Sequence, residues 1–355
     1  MPCSKMLAVV APRAALVLVA STFGCDPPQA GPDGGTSRPT AAPIETSQAP
    51  PLDSAPAPAP PPPGASSPAE RPPDGESERA PIACPKGMLR VPGGSAPLFA
   101  LPADKPGSAF RDPAPVRAFC IDRWEAQLVD KLTGMTLSPY YPPERKLAAQ
   151  IAAQWEKQRL EIGSDEAREM PLPPLPEWQK KRDFEPMAVS RPNVVPNGYV
   201  SGVNAEKACR NAGKRLCRHH EWVLACEGDK QQRYPYGAEY KQGGCNIFRA
   251  LHPAGALHDD VTIGHLDPRL NLVKEPSGDP LLRRTGATQS CKSAWGDDAA
   301  WDMNGNLDEW VEDDKGRFDG GFFSRSKREG CEQSVTAHKK DYFDYSTGVR
   351  CCADL

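Results

Sequence analysis

The segment Trp301-Asp302-Met303-Asn304-Gly305-Asn306-Leu307-Asp308-Glu309-Trp310-Val311 says most about the fold of this 355-residue chain. Acidic or amide side chains stand at every second position from Asp302 to Asp308, and an acidic–aromatic pair follows. The spacing is superficially that of a helix-loop-helix calcium loop. That motif requires glycine at its sixth position, where this chain has Leu307. The polar residues are therefore either ligands of another kind of site or caps of a polar turn.

The N-terminus has the pattern of an export signal. Lys5 and Arg13 precede an apolar run at 14–20, which is too short to span a bilayer. We interpret residues 1–24 as a signal peptide. A small residue directly before Cys25 resembles a bacterial lipobox, which predicts cleavage there, lipidation of Cys25 and an envelope protein facing the periplasm or cell surface. Ordinary secretion with cleavage nearby is the alternative.

Residues 25–83 are interpreted as a disordered linker between the anchor and a folded domain at 84–355. The stretch 26–83 contains 17 prolines and no aromatic residue, so it cannot bury enough apolar surface to offset the entropy of ordering. The net charge of −3 and the lack of a basic stripe argue against nucleic acid as a partner. The predicted partners are the membrane, through the lipid, and an unidentified peptide, glycan or protein.

The folded part carries an even number of cysteines, which in an exported chain predicts a disulfide framework. The alternative is a zinc site formed by Cys217, His219, His220 and neighbouring cysteines. No pair has the short Cys-x-x-Cys spacing that structural zinc sites prefer. The ten cysteines are Cys84, Cys120, Cys209, Cys217, Cys226, Cys245, Cys291, Cys331, Cys351 and Cys352.

Local patterns predict few long elements. Strands are expected at 88–94 and 116–122, each bounded by turn signals. Residues 130–195 are interpreted as an insertion with one amphipathic helix at 145–161, and prolines follow it. The face of that helix would carry Leu147, Ile151, Trp155 and Leu160.

Two further helices are expected in the middle of the chain. The first runs over 205–212 after a start signal at Ser201, and Gly213 stops it. The second covers 218–225 and turns Trp222 inward. Beyond residue 230 the chain is rich in Gly, Asp and Pro and promises many loops, which need disulfides for stability.

Several segments occur in one order along the folded part, and together they are similar to the formylglycine-generating enzyme, or sulfatase-modifying factor, family. The segments are Met88 to Gly94 with Phe119-Cys120-Ile121-Asp122-Arg123-Trp124-Glu125, the block from Val203 to Trp222 with Gly213-Lys214-Arg215-Leu216, Tyr234-Pro235-Tyr236-Gly237 with Cys245-Asn246-Ile247, the opening segment at 301–311, and Gly320-Gly321 with Thr347-Gly348-Val349-Arg350-Cys351. The resemblance implies an α+β domain, compact and low in regular structure, related to C-type lectins.

The family resemblance also implies an activity. Its founding members oxidise a sulfatase cysteine to formylglycine, with oxygen and a copper ion held by two cysteines shortly after Gly-Gly. Soft thiolates suit Cu(I), but the matching stretch 322–330 contains no cysteine. Cys331 matches a structural position further on. We therefore expect no copper and a non-oxidase binding or structural domain. An oxidase with altered ligands, such as His338 and nearby tyrosines, is the alternative.

Calcium is the cofactor that the resemblance implies, because hard oxygen ligands of the family's kind suit it. Its ligands would be the side chains of Asp302 and Glu309 and the carbonyls of Gly305 and Leu307. A second site would use the side chains of Asn246 and Asp260 and the carbonyl of Ile247.

The resemblance also implies two disulfides, Cys209–Cys351 and Cys226–Cys331. Three more pairs are hypotheses: Cys84–Cys120, Cys217–Cys352 and Cys245–Cys291. Among the histidines, His219 and His220 are expected to be exposed helix residues rather than acid–base groups. His338, near Tyr342 and Tyr345, either lines a surface cleft or packs in the interior.

Overall fold

A computed structural model of the chain describes residues 83–95, 115–325 and 328–355. The predicted signal peptide, the lipid site Cys25 and nearly all of the predicted linker lie outside these ranges. Within them, no helix has the length and apolar character needed to cross a bilayer.

The described residues form an α+β domain of short elements, as the sequence predicts. The strands are β1 Met88–Val91, β2 Gly94–Ser95, β3 Pro115–Val116, β4 Phe119–Asp122, β5 Ala126–Asp130, β6 Pro186–Ser190, β7 Arg215–Leu216, β8 Lys292–Trp295, β9 Asp298–Trp301, β10 Asp308–Trp310, β11 Phe318–Asp319, β12 Ser334–Val335, β13 Thr347–Val349 and β14 Cys351–Asp354. The helices are α1 Arg145–Gln158, α2 Asp165–Glu169, α3 Glu177–Lys181, α4 Gly202–Asn211, α5 His219–Glu227 and α6 Pro253–His258, with 3₁₀ turns at Leu270–Leu272 and Gly330–Glu332.

Two four-stranded sheets organise the domain. The first has the order β1-β4-β14-β7 and is antiparallel throughout, so it joins the two ends of the domain. The second has the order β12-β11-β10-β13, with β10 and β13 parallel and Asp308 opposite Thr347. The segment at 301–311 therefore connects β9 to the centre of the second sheet.

The two middle helices are confirmed, with small shifts of their ends. The Oγ of Ser201 accepts a hydrogen bond from the backbone N–H of Asn204 at 3.2 Å and caps α4. Gly213 follows that helix with φ of +69°, a conformation that glycine adopts without strain. In α5, Trp222 and Ala225 are both fully buried, so this helix lies inside the domain.

The predicted insertion is an ordered part of the domain. Strands β5 and β6 pair at its two ends, and α1 packs on α3 between them. Ile151 and Trp155 of α1 are buried as predicted. Leu160 lies beyond the helix end and is 55% exposed, so its predicted inward position is wrong. The helix ends at Gln158, before the Gly163 turn.

A second difference concerns the strand predicted at 116–122. The chain forms two short strands there, β3 and β4, and β3 pairs with β2 rather than with β1. Gly93 allows this because a Cβ on it would lie 2.7 Å from the carbonyl oxygen of Val116, so the two segments approach too closely for any larger residue.

Disulfide bonds are confirmed as the framework of the domain. All ten cysteines between 84 and 355 are paired, which removes the zinc alternative at Cys209, Cys217 and Cys226. The pairs coincide with those expected from the sequence: Cys84–Cys120, Cys209–Cys351, Cys217–Cys352, Cys226–Cys331 and Cys245–Cys291. Cys351 and Cys352 tie β14 to α4 and to the segment after β7, so the C-terminal strand is fixed from both faces.

Candidate functional site

One buried network of ion pairs and hydrogen bonds connects residues from the separate sequence segments. Arg350 lies at its centre and is fully buried. Its Nε and Nη2 donate to the carboxylate of Glu309 at 2.8 Å, and its Nη1 donates to the carbonyl of Asp122 at 2.9 Å. The indole Nε1 of Trp222 donates to the same carboxylate at 2.6 Å. A buried ion pair of this kind is satisfied on both sides.

Two more carboxylates adjoin this arginine. Burial raises the pKa of Glu125 well above its usual value, and repulsion by Asp302 and Glu309 adds to the effect. Burial likewise raises the pKa of Asp302 to about 7. The carboxylate of Glu125 accepts hydrogen bonds from Asn306 Nδ2 at 2.5 Å and from the backbone N–H of Leu307 at 3.0 Å. Three acids thus lie close to Arg350, and their burial and mutual repulsion favour the protonated forms of Glu125 and Asp302.

The first predicted calcium set belongs to this network. Both oxygens of Glu309 are hydrogen-bonded to Arg350, and one also accepts from Trp222. Asp302 accepts from the backbone N–H of Gly286 at 2.6 Å. A guanidinium already neutralises the carboxylate that calcium would need. These donors therefore do not fit a calcium ion in their present arrangement.

The second predicted calcium set is divided between buried residues and an exposed one, and its side chains are bonded to other groups. Asn246 is buried, and its side chain is hydrogen-bonded to Asn306, Leu281 and Arg249. Asp260 is exposed, and its carboxylate accepts from the backbone N–H and hydroxyl of Thr262. This set does not fit calcium either. Within the described ranges, no group of three or more His, Cys, Asp or Glu side chains is arranged to hold a metal ion.

The two predicted calcium segments nevertheless contact each other through the backbone. The carbonyl oxygen of Asn246 accepts from the N–H of Asn306 at 2.9 Å. Gly305 has φ of +96°, and a Cβ on it would lie 2.3 Å from that same carbonyl oxygen. Glycine is needed here for a close approach of two chain segments.

A cleft of about 510 Å³ opens beside the second sheet, and we refer to it as the aromatic cleft. Its first wall is a stack of rings, in which His338 and Tyr342 lie 3.8 Å apart and Phe318 lies parallel to both. Its second wall holds more rings and the histidines of a neighbouring loop. The lining residues are His252, His265, Phe318, Phe322, Ser324, Arg325, Val335, His338, Tyr342, Asp344, Tyr345 and Ser346.

Arg325 lines the cleft and forms an ion pair with Asp308, which is buried and does not line it. Arg325 Nη2 donates to the carboxylate of Asp308, and its guanidinium lies 4.9 Å from the centre of the Phe322 ring. Burial raises the pKa of Asp308 to about 7, although Arg325 opposes the rise. The second acid, Asp344, accepts hydrogen bonds from Tyr342 at 2.5 Å and from the hydroxyl of Ser346 at 2.7 Å. One cation and two acids therefore lie in this part of the cleft and its surroundings.

A histidine–tyrosine pair marks the second wall. Tyr345 Oη lies 3.1 Å from His252 Nε2. Burial lowers the pKa of His252 and keeps the ring neutral near pH 7. Its Nδ1 is buried and has no hydrogen-bond partner among the residues that the structure describes. The cleft thus offers ring faces, a few polar and charged groups, and one histidine nitrogen without a partner in the described part of the chain, which is the chemistry of a binding pocket.

The structure decides between the two roles that the sequence allowed for His338. It lines the aromatic cleft together with Tyr342 and Tyr345. His252 and His265, which complete that cleft, were missed, and the only sequence signal was their place in an aromatic-containing loop region. His219 was expected to be exposed, and that prediction is wrong. Its ring is largely buried, and its Nδ1 lies 2.8 Å from a carboxylate oxygen of Asp319.

The stretch expected to match the family's copper cysteines lines part of this cleft. Phe322, Ser324 and Arg325 belong to it, and each has a protein partner: Ser324 donates to the carbonyl of Leu251 at 2.8 Å. The next cysteine along the chain, Cys331, is bonded to Cys226. No described residue of the cleft carries a thiol.

These observations define the protein as an α+β domain cross-linked by five disulfides. It has a buried Arg–Glu–Trp network and an open aromatic cleft. The chain belongs to the family described as the sulfatase-modifying factor enzyme 1-like domain, whose model matches residues 75–354.

Comparison with solved structures gives distant likenesses. CarF is 14% identical, with a TM-score of 0.36 and coverage of 76% of this chain and 98% of that one. PvdO from Pseudomonas aeruginosa is 13% identical, with a TM-score of 0.35 and coverage of 76% and 94%. Treponema denticola variable protein 1 is 12% identical, with a TM-score of 0.34 and coverage of 76% and 95%. No curated protein matches the chain.

Proposed function

We propose that this chain is an exported envelope protein, lipid-anchored at Cys25, whose proline-rich segment presents a disulfide-stapled binding domain. The aromatic cleft is its ligand site. The lipid anchor rests on the sequence around Cys25 alone. The binding role rests on the folded domain. Because this fold serves diverse functions, the role is inferred from the residues of the cleft and not from the fold.

One observation supports binding over oxidation: every cysteine between 84 and 355 is in a disulfide. The thiol pair that would grip Cu(I) is therefore not supplied by this domain. The cleft that remains has ring stacks on one side and a neutral histidine–tyrosine pair on the other. Its ligand is a segment of a peptide, glycan or protein partner that presents a flat or apolar group to these rings.

Binding is tested by screening the full chain on peptide and glycan arrays, followed by titration of each ligand found. Replacing Tyr342 and His338 by Ala removes the ring stack and is expected to weaken binding by about tenfold or more. The control is Leu132→Ala, since Leu132 is 83% exposed on the turn after β5. A ligand that binds the cleft variant and the control equally contradicts the proposal, as does the absence of any ligand.

The runner-up function is an oxidase of the family's kind with altered metal ligands. The observation in its favour is that His252, His265 and His338 line one cleft with two tyrosines. Metal analysis of the purified protein, followed by oxygen uptake with a cysteine-containing peptide, separates the two functions. One copper ion per chain with turnover would support the oxidase, and copper-free protein without turnover would support the binding domain.

A further inference from the structure

A second surface, separate from the aromatic cleft, carries a concentration of cations. Two hollows open there, of about 640 and 420 Å³. Lys86 and Arg191 line the first, and Lys274, Arg283 and Arg284 line the second. We refer to these five residues as the basic face. The chain as a whole has a net charge of −3, so the positive charge of this surface is opposite in sign to that of the whole chain.

Hydrogen bonds join the two hollows into one surface. Residues 191–193 run from the first hollow to the second. The hydroxyl of Thr285 donates to the carbonyl of Arg191 at 2.7 Å, and Arg284 Nη1 donates to the carbonyl of Asn193 at 3.0 Å. The backbones of Asn193 and Thr285 are also bonded, at 2.8 Å. These bonds fix the segment that carries Arg191 against the segment that carries Arg284.

The cations of the basic face have no direct ion-pair partner in the described ranges, although Asp279, Glu275 and Asp302 lie near Arg283. Arg123 also lines the first hollow, but its guanidinium is bound to the carboxylate of Asp298. The second hollow contains one acid, Asp279, which accepts from Ser277 at 3.1 Å. Among the residues that line them, the cations therefore outnumber the acids in both hollows.

Each hollow also contains one half-buried aromatic ring. Trp124 lies in the first and Tyr140 in the second. Gly286 adjoins the indole so closely that a Cβ on it would lie 3.3 Å from Trp124 Nε1. The edge of the indole therefore lies against the backbone of Gly286, and the indole lines the hollow. Rings of this kind bind flat or ring-shaped ligands by their faces.

We propose that the basic face binds an acidic polysaccharide, with sulfate or carboxylate groups on the five cations and sugar rings on Trp124 and Tyr140. A chain ligand suits two hollows joined end to end. Sugar rings suit the aromatic pair better than an acidic peptide does, since a peptide of Asp and Glu offers no ring to stack. The site shares no residue with the aromatic cleft, so its fate is independent of the proposed function.

The test is titration of the full chain with dextran sulfate, with neutral dextran as the matched probe. Dextran sulfate is expected to bind and dextran is not, and raising the salt concentration should weaken the binding because exposed charges are screened. The variant with Arg191→Glu and Arg284→Glu should lose about tenfold or more in affinity. Its control, Lys146→Glu with Lys230→Glu, has the same net charge and should stay within about twofold.

Stacking is tested separately with Trp124→Ala and Trp124→Phe. The alanine variant should lose affinity for dextran sulfate, and the phenylalanine variant should recover most of it. Three results would overturn the proposal: no binding of dextran sulfate, equal losses in both charge-reversal variants, or equal affinity for poly-glutamate together with no effect of Trp124→Ala. Thermal melting of each variant shows whether it is folded.

Discussion

Trp222 Nε1 lies 2.6 Å from Glu309 Oε2, so the buried helix α5 is hydrogen-bonded to the central strand β10 of the second sheet. Arg350 donates to both oxygens of the same carboxylate, including the one that accepts from Trp222. Each partner comes from a different motif of the sequence. The family motifs at these positions therefore have a structural role, because they place one arginine, one indole and several acids where each satisfies the others.

Removing the central cation should destabilise the domain strongly. Arg350→Met leaves Glu309 buried beside two further acids without a counter-charge, and the expected loss is about 3–5 kcal/mol in the free energy of unfolding. The second variant adds Glu309→Gln, which removes the uncompensated charge and keeps an oxygen for Trp222. It should recover part of the loss. Urea unfolding measures both.

The comparison between the single and double variants tests the network itself. If Glu309→Gln with Arg350→Met is less stable than Arg350→Met alone, charge compensation is not the role of this pair. If the single variant is as stable as the wild type, the buried ion pair contributes nothing. Peptide mapping confirms that the five disulfides are intact in each protein.

Because of Glu227, the free energy of unfolding should fall as the pH rises. Neither carboxyl oxygen has a hydrogen-bond partner within the described residues, and burial, with repulsion by Glu332, raises its pKa to about 9. The unfolded chain releases this proton near its ordinary value of 4.5. The folded chain therefore binds more protons between these two pH values, and the free energy of unfolding falls as the pH rises through them.

Glu227→Gln removes this dependence. The variant should be more stable than the wild type at pH 8 by more than about 1 kcal/mol, and the difference should shrink at pH 5. Glu239→Gln, at an exposed position, is the control and should change neither value. A Glu227→Gln variant whose advantage is the same at both pH values would contradict the expected titration.

Arg325 should matter for stability mainly at higher pH. Its guanidinium lowers the pKa of Asp308, which burial has raised to about 7. Arg325→Met raises that pKa further, so the folded chain holds its proton to a higher pH than the unfolded chain does, and stability is lost as the pH rises. The loss in urea unfolding should be larger at pH 8 than at pH 5. Arg117→Met, at an exposed site, should show no such difference, and equal losses at both pH values would refute the role of the ion pair.

Calcium should not stabilise the domain through the two predicted ligand sets. Their side chains are bound to Arg350, Trp222, Arg249 and Thr262. Adding millimolar calcium, or removing it with a chelator, should therefore leave the melting temperature unchanged. A rise of several degrees with calcium would show that these donors rearrange to bind it. The same measurement on Asp302→Asn and Asp260→Asn would identify which set responds.

The sequence predicts the architecture well because the motif residues form the contacts and helix ends that define the fold. Gly213 ends a helix, Ser201 begins it, and the Glu-Trp of the opening segment lies at the centre of a sheet, each for a local physical reason. Two of the disulfide pairs, Cys209–Cys351 and Cys226–Cys331, also follow from the family resemblance, and the other three are hypotheses that the structure bears out. Leu160 was misplaced because the helical period continues in the sequence past the residue where the helix ends.

The sites are harder to predict, because they depend on which chain segments meet. Asp302 and Glu309 have the right chemistry for calcium, but only the fold shows that Glu309 pairs with Arg350 and that Asp302 accepts from the backbone of Gly286. His252 and His338 stand 86 positions apart and share a cleft without any common pattern. The basic face draws on five cations scattered from Lys86 to Arg284, and no local run of charge indicates it.

The central claim, that the cysteines of this domain are locked in disulfides and that it binds rather than oxidises, is tested most directly by trapping its free thiols. The chain is alkylated under denaturing, non-reducing conditions, in the presence and absence of copper, and mapped by mass spectrometry. We expect no alkylated cysteine between 84 and 355 and the five pairs described above. Two alkylated cysteines in the C-terminal third that become protected by one copper ion would contradict it.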